Sequence, residues 1–166
     1  MKDLNIPFSF LQEHSVILSA EEIRFAIGYE LIDLRELADI VDKSLIKYPN
    51  DESLLELALN LLLDSFYIDT DIKPISLISS EAACKLKSVS SKWRYILLLW
   101  LYENRENSSA DYDRINKVYA DFSYPVDMER FISYMPAHGN TEKLGYDHIL
   151  HNWKDYLNAY KHLIAS

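Results

Sequence analysis

The C-terminal segment carries the residues that come closest to a metal-ligand set. Histidine and aspartate are common zinc ligands, and His148, His151, Asp155 and His162 recur there at helical intervals. At a helical period these four side chains share one narrow stripe. That stripe lies opposite an apolar face, and its spacing differs from His-Glu-x-x-His because Ile149 follows His148. We interpret the stripe as a solvent-facing side and expect no metal and no other cofactor; His148, His151 and Asp155 are the candidate ligands if one binds.

Two pairs of acids have a spacing that general acid–base catalysis could use, Glu52 with Glu56 and Asp111 with Asp113. Nothing in the sequence places either pair in a pocket that would raise a pKa, as such catalysis requires. The thiol of Cys84 has no histidine nearby in the sequence, and a lone cysteine in a helix is usually a small core residue. We therefore favour a protein without catalytic activity. The alternative is an enzyme whose pocket of acids and histidines is assembled only by the fold.

Aromatic residues crowd the stretch 112–134 together with three basic residues. Tyrosine and arginine are enriched at protein–protein hot spots, basic aromatic stretches also bind single-stranded nucleic acid, and rings equally form the core of a helix pair. We predict a core position for Tyr119, Phe122 and Phe131. We interpret Tyr124 and Tyr134 as candidate surface anchors for a partner, because each lies near a proline.

Acidic residues are concentrated in the N-terminal half of the chain. Residues 1–84 hold 16 acids and 6 bases, a net charge of −10, and residues 85–166 hold 10 acids and 11 bases. An acidic field repels nucleic-acid phosphates and attracts basic partners, although net charge alone is better explained by a well-solvated surface. The candidate partner-binding acids are Glu52, Glu56, Asp64, Asp69 and Asp71. We expect a protein partner with a basic surface, and neither nucleic acid nor membrane.

Helix start signals divide the chain into seven to nine helices of an all-α, irregular helical bundle. Capping motifs open helices at Ser19–Glu22, at Asp33–Glu36, at Asn50 or Asp51, and at Ser108–Asp111. Proline opens short helices after Pro7 and Pro125. A final helix is predicted over 142–164, with a break near Gly145, after a loop at 138–141.

Two helices are predicted to form the centre of a single domain over residues 1–166. The helix from 51 to about 67 has a narrow polar stripe, and the helix at 92–106 is apolar almost all round. Between them, serines and Pro74 break the periodicity, which places any subdomain junction around 68–91, with a short helix near 81–87.

The bulk composition excludes several classes of protein. Three glycines in 166 residues leave no Gly-x-Gly-x-x-Gly or P-loop motif. One cysteine allows no internal disulfide, which favours a reducing compartment. The apolar run Tyr95–Tyr102 is far shorter than the roughly 20 residues that span a bilayer. We expect a cytoplasmic protein of undetermined oligomeric state.

The central aromatic stretch carries a family resemblance. The segments Tyr119–Pro125 and Phe131–Pro136 resemble the signature of a bacterial family known as domain of unknown function 2247. Three further segments fit the same resemblance: Leu18–Ile27, Trp93–Asn104 and Asn152–Leu157. The resemblance implies no assigned activity and no catalytic residues. Small acidic families of this kind often look like immunity proteins of bacterial toxin systems, and this is an association by resemblance.

Overall fold

The computed structural model describes residues 4–63, 80–135 and 145–165, and the side chains of those ranges other than 80–84. Within these ranges every regular element is helical, so the prediction of an all-α fold is confirmed. The elements are α1 (Phe8–Glu13), α2 (Ala20–Gly28), α3 (Leu37–Lys47), α4 (Glu52–Leu62), α5 (Ser80–Glu103), α6 (Ser109–Asp121) and α7 (Tyr146–Tyr160), with 3-10 helices at Leu34–Glu36, Val126–Phe131 and Lys161–Leu163. None of the described helices is both long and apolar enough to span a membrane.

Two compact units make up the chain. Unit 1 comprises Met1–Trp93 with Ile164–Ser166, and unit 2 comprises Arg94–Leu163. The boundary between them falls within α5. The single domain over residues 1–166 stays a prediction. Of the junction placed around 68–91, residues 68–79 lie outside the described part of the chain, and 80–91 belong to α5.

Four helices begin where the local sequence predicts them: α2, the 3-10 helix Leu34–Glu36, α4 and α6. Ser19 Oγ accepts the Glu22 backbone N–H at 3.2 Å while a Glu22 carboxylate oxygen accepts the Ser19 N–H at 2.9 Å. Ser108 and Asp111 form a second capping box at α6. Asp33 and Asp51 cap the 3-10 helix Leu34–Glu36 and α4. These bonds satisfy N–H groups that the first helical turn leaves without partners.

α5 differs from the prediction of separate helices at 81–87 and 92–106. It is one helix of 24 residues. The serines at 88, 90 and 91 favour turns in isolation, but no proline or glycine interrupts the segment, and Val89 and Trp93 are both buried. Packing therefore outweighs local preference. Most of the apolar run of this helix is buried, as predicted, since Tyr95, Leu97 and Leu101 are each no more than 3% exposed, while Leu99, Trp100 and Tyr102 are half-buried.

α4 contradicts the prediction of a second enclosed central helix. Within its described length only Leu54 and Leu57 are buried. Leu59 is 55% exposed and Leu62 is 83% exposed. The sequence pattern predicts that only the polar stripe faces solvent, whereas the exposed face mixes leucine with glutamate. Residues 64–67 of the predicted helix lie outside the described residues.

Unit 2 combines the C-terminal part of α5 with α6, α7 and two 3-10 helices. The segment after Pro125 is a 3-10 helix, Val126–Phe131, where the sequence predicts an α-helix that ends before Pro136. α7 packs against this element. Gly145 is the N-cap of α7, and residues 142–144 of the predicted final helix lie outside the described residues. The loop predicted at 138–141 lies outside the described residues.

Candidate partner-binding surfaces

The outer face of α4 is the first candidate surface, and its side chains recur at helical spacing. Glu52, Leu55, Glu56 and Leu59 follow at intervals of three, one and three residues, which places them on one side of the helix. All four side chains are exposed. Two further exposed leucines follow at the end of the segment. The exposed fractions of the leucines are 47% for Leu55, 55% for Leu59, 83% for Leu62 and 64% for Leu63. The side chains thus form an apolar strip with two carboxylates beside it, which we call the α4 surface.

The buried side of α4 fixes the orientation of the α4 surface. Leu54 is fully buried and Leu57 is 5% exposed, so rotation of the helix would remove both from the core of unit 1. Asp51 Oδ1 accepts the Leu54 N–H at 3.0 Å and holds the first turn. One carboxylate on the outer face, Glu56, contacts Arg24 Nη2 at 3.3 Å. Both side chains of that pair are substantially exposed, so it contributes little to stability.

Two exposed residues at the end of α3 add to the apolar character of unit 1. Ile46 is 85% exposed and Tyr48 is 47% exposed, and α3 packs directly against α4. Of the other predicted partner-binding acids, Asp64, Asp69 and Asp71 lie outside the described residues.

The second candidate surface is a tyrosine cluster in unit 2. Tyr124 and Tyr134 are 60% and 58% exposed, while Tyr119 is 3% exposed. The rings of Tyr124 and Tyr134 lie 5.3 and 6.3 Å from the Tyr119 ring, centroid to centroid. The buried ring therefore supports two exposed ones. The core position predicted for Tyr119 and Phe131 is confirmed, and Phe122 is half-buried.

The backbone that presents Tyr124 is strained. Ser123 and Tyr124 have φ values of 61° and 58°, in the left-handed region that costs L-residues about 1 kcal/mol or more each. The Tyr124 N–H donates to the Tyr119 carbonyl at 2.9 Å, which closes the end of α6. Such strain persists only where surrounding contacts hold it.

Unit 2 contains a buried ionic cluster that no sequence motif predicts. Arg94 is 8% exposed within the apolar run of α5. Its Nη2 donates to Asp127 Oδ2 at 2.6 Å and its Nε donates to the Tyr156 hydroxyl at 3.2 Å. Burial raises the pKa of Tyr156 to about 12, although the positive charge of Arg94 acts to lower this pKa. Two features of the sequence could indicate this cluster: an arginine inside an apolar helix, and an acid just after Pro125.

Asp111 is a buried acid that joins two helix starts of unit 2. It is 2% exposed and accepts the backbone N–H groups of Glu106 and Ser108 at 3.0 and 3.2 Å. The Tyr146 hydroxyl donates to it at 3.0 Å. Its predicted companion Asp113 is exposed. The carboxylate therefore ties the start of α6 to the start of α7.

The histidine stripe of α7 lies on the solvent side, as predicted. His148, His151 and Asp155 are exposed while Ile149 and Trp153 are buried. His151 Nε2 lies 3.3 Å from Asp155 Oδ2, with both side chains more than half exposed. Across the described part of the chain, no three histidine, cysteine or acidic side chains gather as metal ligands would.

One arrangement that the enzyme alternative could use is a concave pocket in which His148 or His151 converges with Asp155. These three side chains face outward and do not line the groove between α5 and α7. These three residues therefore do not form such a pocket.

Fold and surfaces together define an all-α protein of two compact units that displays an apolar, acidic helix face on one unit and exposed tyrosines on the other. The chain belongs to the family described as uncharacterized proteins conserved in bacteria, DUF2247, whose sequence model matches residues 8–161. The resemblance seen in the sequence is thereby confirmed. No curated protein and no solved structure matches the chain significantly.

Proposed function

We propose that this protein is a non-enzymatic binding module of immunity type, which acts in the cytoplasm and binds a basic protein partner through the α4 surface. The observation that carries the proposal is the exposure of four leucines on one short helical segment, between 47% and 83% each. Contiguous exposed apolar surface rimmed by polar groups marks interaction sites more often than it occurs by accident.

The leucines supply the affinity in this proposal. Full burial of a leucine side chain is worth about 1.5–3 kcal/mol, so even part of that gain from two or three leucines supports a stable complex. The helix is already held in place by Leu54 and Leu57. Binding therefore requires little ordering of the backbone, which keeps its entropic cost low.

The charge of the N-terminal half supports a partner with a basic surface. Glu52 and Glu56 flank the leucine strip, and residues 1–84 carry a net charge of −10. Such a field favours association with a basic surface and accelerates encounter. A toxin that acts on nucleic acid presents a basic surface of this kind, and its inhibitor would need the opposite charge.

The proposal is tested by capture from a bacterial host followed by reconstitution with the purified captured protein. The variant Glu52→Lys/Glu56→Lys should weaken reconstituted binding at least about tenfold at 50 mM salt, as expected for close charge pairs. Asp113→Lys/Asp121→Lys is the matched control, because it makes the same net charge change at exposed positions of unit 2. Leu59→Ser should weaken binding at both low and high salt.

Three results would contradict the proposal. The first is a captured partner with an acidic surface. The second is equal binding by the wild type and the α4 variants, and the third is an equal loss in the Asp113→Lys/Asp121→Lys control.

A further inference from the structure

A groove in unit 2 lies between α5 and α7 and has the size of a small-molecule site. Its volume is about 460 Å³, within the range of roughly 300–1,000 Å³ that is usual for ligand pockets. The α5 side presents Tyr95, Leu99 and Tyr102 at intervals of four and three residues. The α7 side presents Lys154 and Leu157. Two helical stripes therefore face the same space.

The floor of the groove is apolar and aromatic. Tyr95 and Leu157 are 3% and 6% exposed, and Leu99 and Tyr102 are half-buried. Burial, with a smaller contribution from Glu103, raises the pKa of Tyr95. Its hydroxyl therefore stays neutral at physiological pH. Such a floor suits an aromatic or aliphatic body.

The rim of the groove is basic, in contrast to the acidic protein as a whole. Lys154 and Lys161 are exposed and lie seven residues apart on the same side of the C-terminal segment. Arg105 is the third cation of the lining, and Glu103 is the acid among the described lining residues. An anionic group is therefore favoured on the α7 side of the groove, where the two lysines lie, away from Glu103 on α5.

Arg105 is held in position before any ligand arrives. Its guanidinium lies 4.4 Å from the centre of the Tyr102 ring. Nη1 donates to the Tyr102 carbonyl at 2.6 Å, and Nε donates to Asn107 Oδ1 at 3.2 Å. Nη2 has no hydrogen bond among these contacts. Arg105 is therefore a fixed positive charge of the lining, whereas the exposed Lys154 and Lys161 are the cations free to reach a headgroup.

We propose that this groove binds a small organic anion, with an aromatic or aliphatic body on the tyrosine–leucine floor and one negatively charged headgroup against Lys154 and Lys161. The site is separate from the α4 surface, because every described residue that lines it belongs to unit 2. The test of the groove proposal therefore does not depend on the outcome for the partner-binding proposal.

The test uses two ligands of the same shape, 2-naphthoate and the neutral 2-naphthamide. Binding is followed by the indole N–H signal of Trp153 in a ¹⁵N-resolved NMR spectrum, assigned with Trp153→Phe. This indole packs edge-on against Tyr102 of the groove, with centroids 5.1 Å apart, so its signal reports local occupancy. We expect saturable shifts with naphthoate and affinity about tenfold weaker for naphthamide, equivalent to about 1.4 kcal/mol.

Two matched double variants separate the groove from general charge effects. Lys154→Glu/Lys161→Glu should reduce naphthoate affinity about tenfold or more and leave naphthamide unchanged. Lys85→Glu/Lys87→Glu makes the same charge change at exposed lysines that do not line the groove, and it should bind naphthoate as the wild type does.

Several results would overturn the proposal. They are the absence of a saturable Trp153 shift, equal affinity for the two ligands, and equal loss in the two double variants. A fourth arm uses inorganic phosphate alone. If millimolar phosphate displaces naphthoate as effectively as a second aromatic carboxylate does, the apolar floor contributes nothing to binding.

Discussion

Arg94 and Asp127 form an ion pair that is largely removed from water. Arg94 Nη2 lies 2.6 Å from Asp127 Oδ2, and the two side chains are 10% and 25% exposed. Arg94 belongs to α5 and Asp127 to the 3-10 helix Val126–Phe131, while the Tyr156 hydroxyl on α7 accepts from the same guanidinium. One arginine therefore joins three elements of unit 2.

Replacement of that arginine should destabilise the protein strongly. In Arg94→Met the Asp127 carboxylate loses its cation while it remains mostly buried, and loss of one partner of a buried pair costs about 3 kcal/mol. The free energy of urea unfolding at pH 7 measures the effect. Arg35→Met is the control, because Arg35 and Asp33 are also 2.6 Å apart but the arginine is 90% exposed. Similar urea midpoints for both variants would contradict the importance of burial.

Asp111 should make the protein sensitive to acid. Burial on its own would raise the pKa of Asp111, but hydrogen bonds from the Glu106 backbone and the Tyr146 hydroxyl outweigh it and lower the pKa overall. A carboxyl with a lowered folded-state pKa stabilises the fold above its unfolded value, about 3.9, and this contribution is lost as pH falls through the folded value.

The variant Asp111→Asn should therefore be less stable than wild type at pH 7 and approach it below about pH 4. Urea unfolding at a series of pH values from 7 to below 3 tests this. Asp113→Asn, at an exposed position, should follow the wild-type profile. A constant difference between Asp111→Asn and wild type across the whole series would show that the charge of the carboxylate is irrelevant.

Relief of backbone strain at Ser123 should stabilise the protein. Ser123→Gly places a residue without a Cβ at a φ of 61°, with an expected gain of up to about 1 kcal/mol. Thermal unfolding monitored by circular dichroism measures it. Ser109→Gly is the control, since Ser109 lies in the first turn of α6 and glycine is unfavourable in a helix. A loss of stability in Ser123→Gly would mean that the serine side chain contributes more than the strain costs.

Leucine truncations should distinguish the two sides of α4. Leu54→Ala removes a fully buried side chain and should cost about 2–5 kcal/mol. Leu59→Ala changes a side chain that is 55% exposed and should stay within about 0.5 kcal/mol of wild type. Urea unfolding gives both values. A cost for Leu59→Ala as large as that for Leu54→Ala would mean that the α4 surface is covered in the isolated protein, and the binding proposal would lose its main observation.

Local features of the fold were predictable from the sequence, and long-range ones were not. The capping boxes at Ser19 and Ser108 follow from residues three positions apart, so each could be recognised without tertiary structure. The continuity of α5 through its serines depends on what Val89 and Trp93 pack against. For the same reason, the outward face of α4 could not be inferred from its own leucine pattern.

The candidate sites also include some features that local sequence predicts and others that depend on long-range contacts. Exposure of Tyr124 followed from its neighbouring proline, and exposure of the α7 histidines followed from helical periodicity. The pairing of Arg94 with Asp127 spans 33 residues, and no local pattern announces it. The groove likewise needs two helices that are distant in sequence, and each contributes only an ordinary stripe of side chains.

The two fully buried tryptophans give the protein a natural pair of optical reporters. Trp93 is 0% exposed and belongs to unit 1, whereas Trp153 is 2% exposed and belongs to unit 2. An indole emits at shorter wavelength inside a protein than in water. The emission wavelength of each tryptophan therefore shows whether the residues packed around it remain folded. With Trp100 and one of these two replaced by phenylalanine, the remaining emission would follow the melting of one half of the molecule without any attached label.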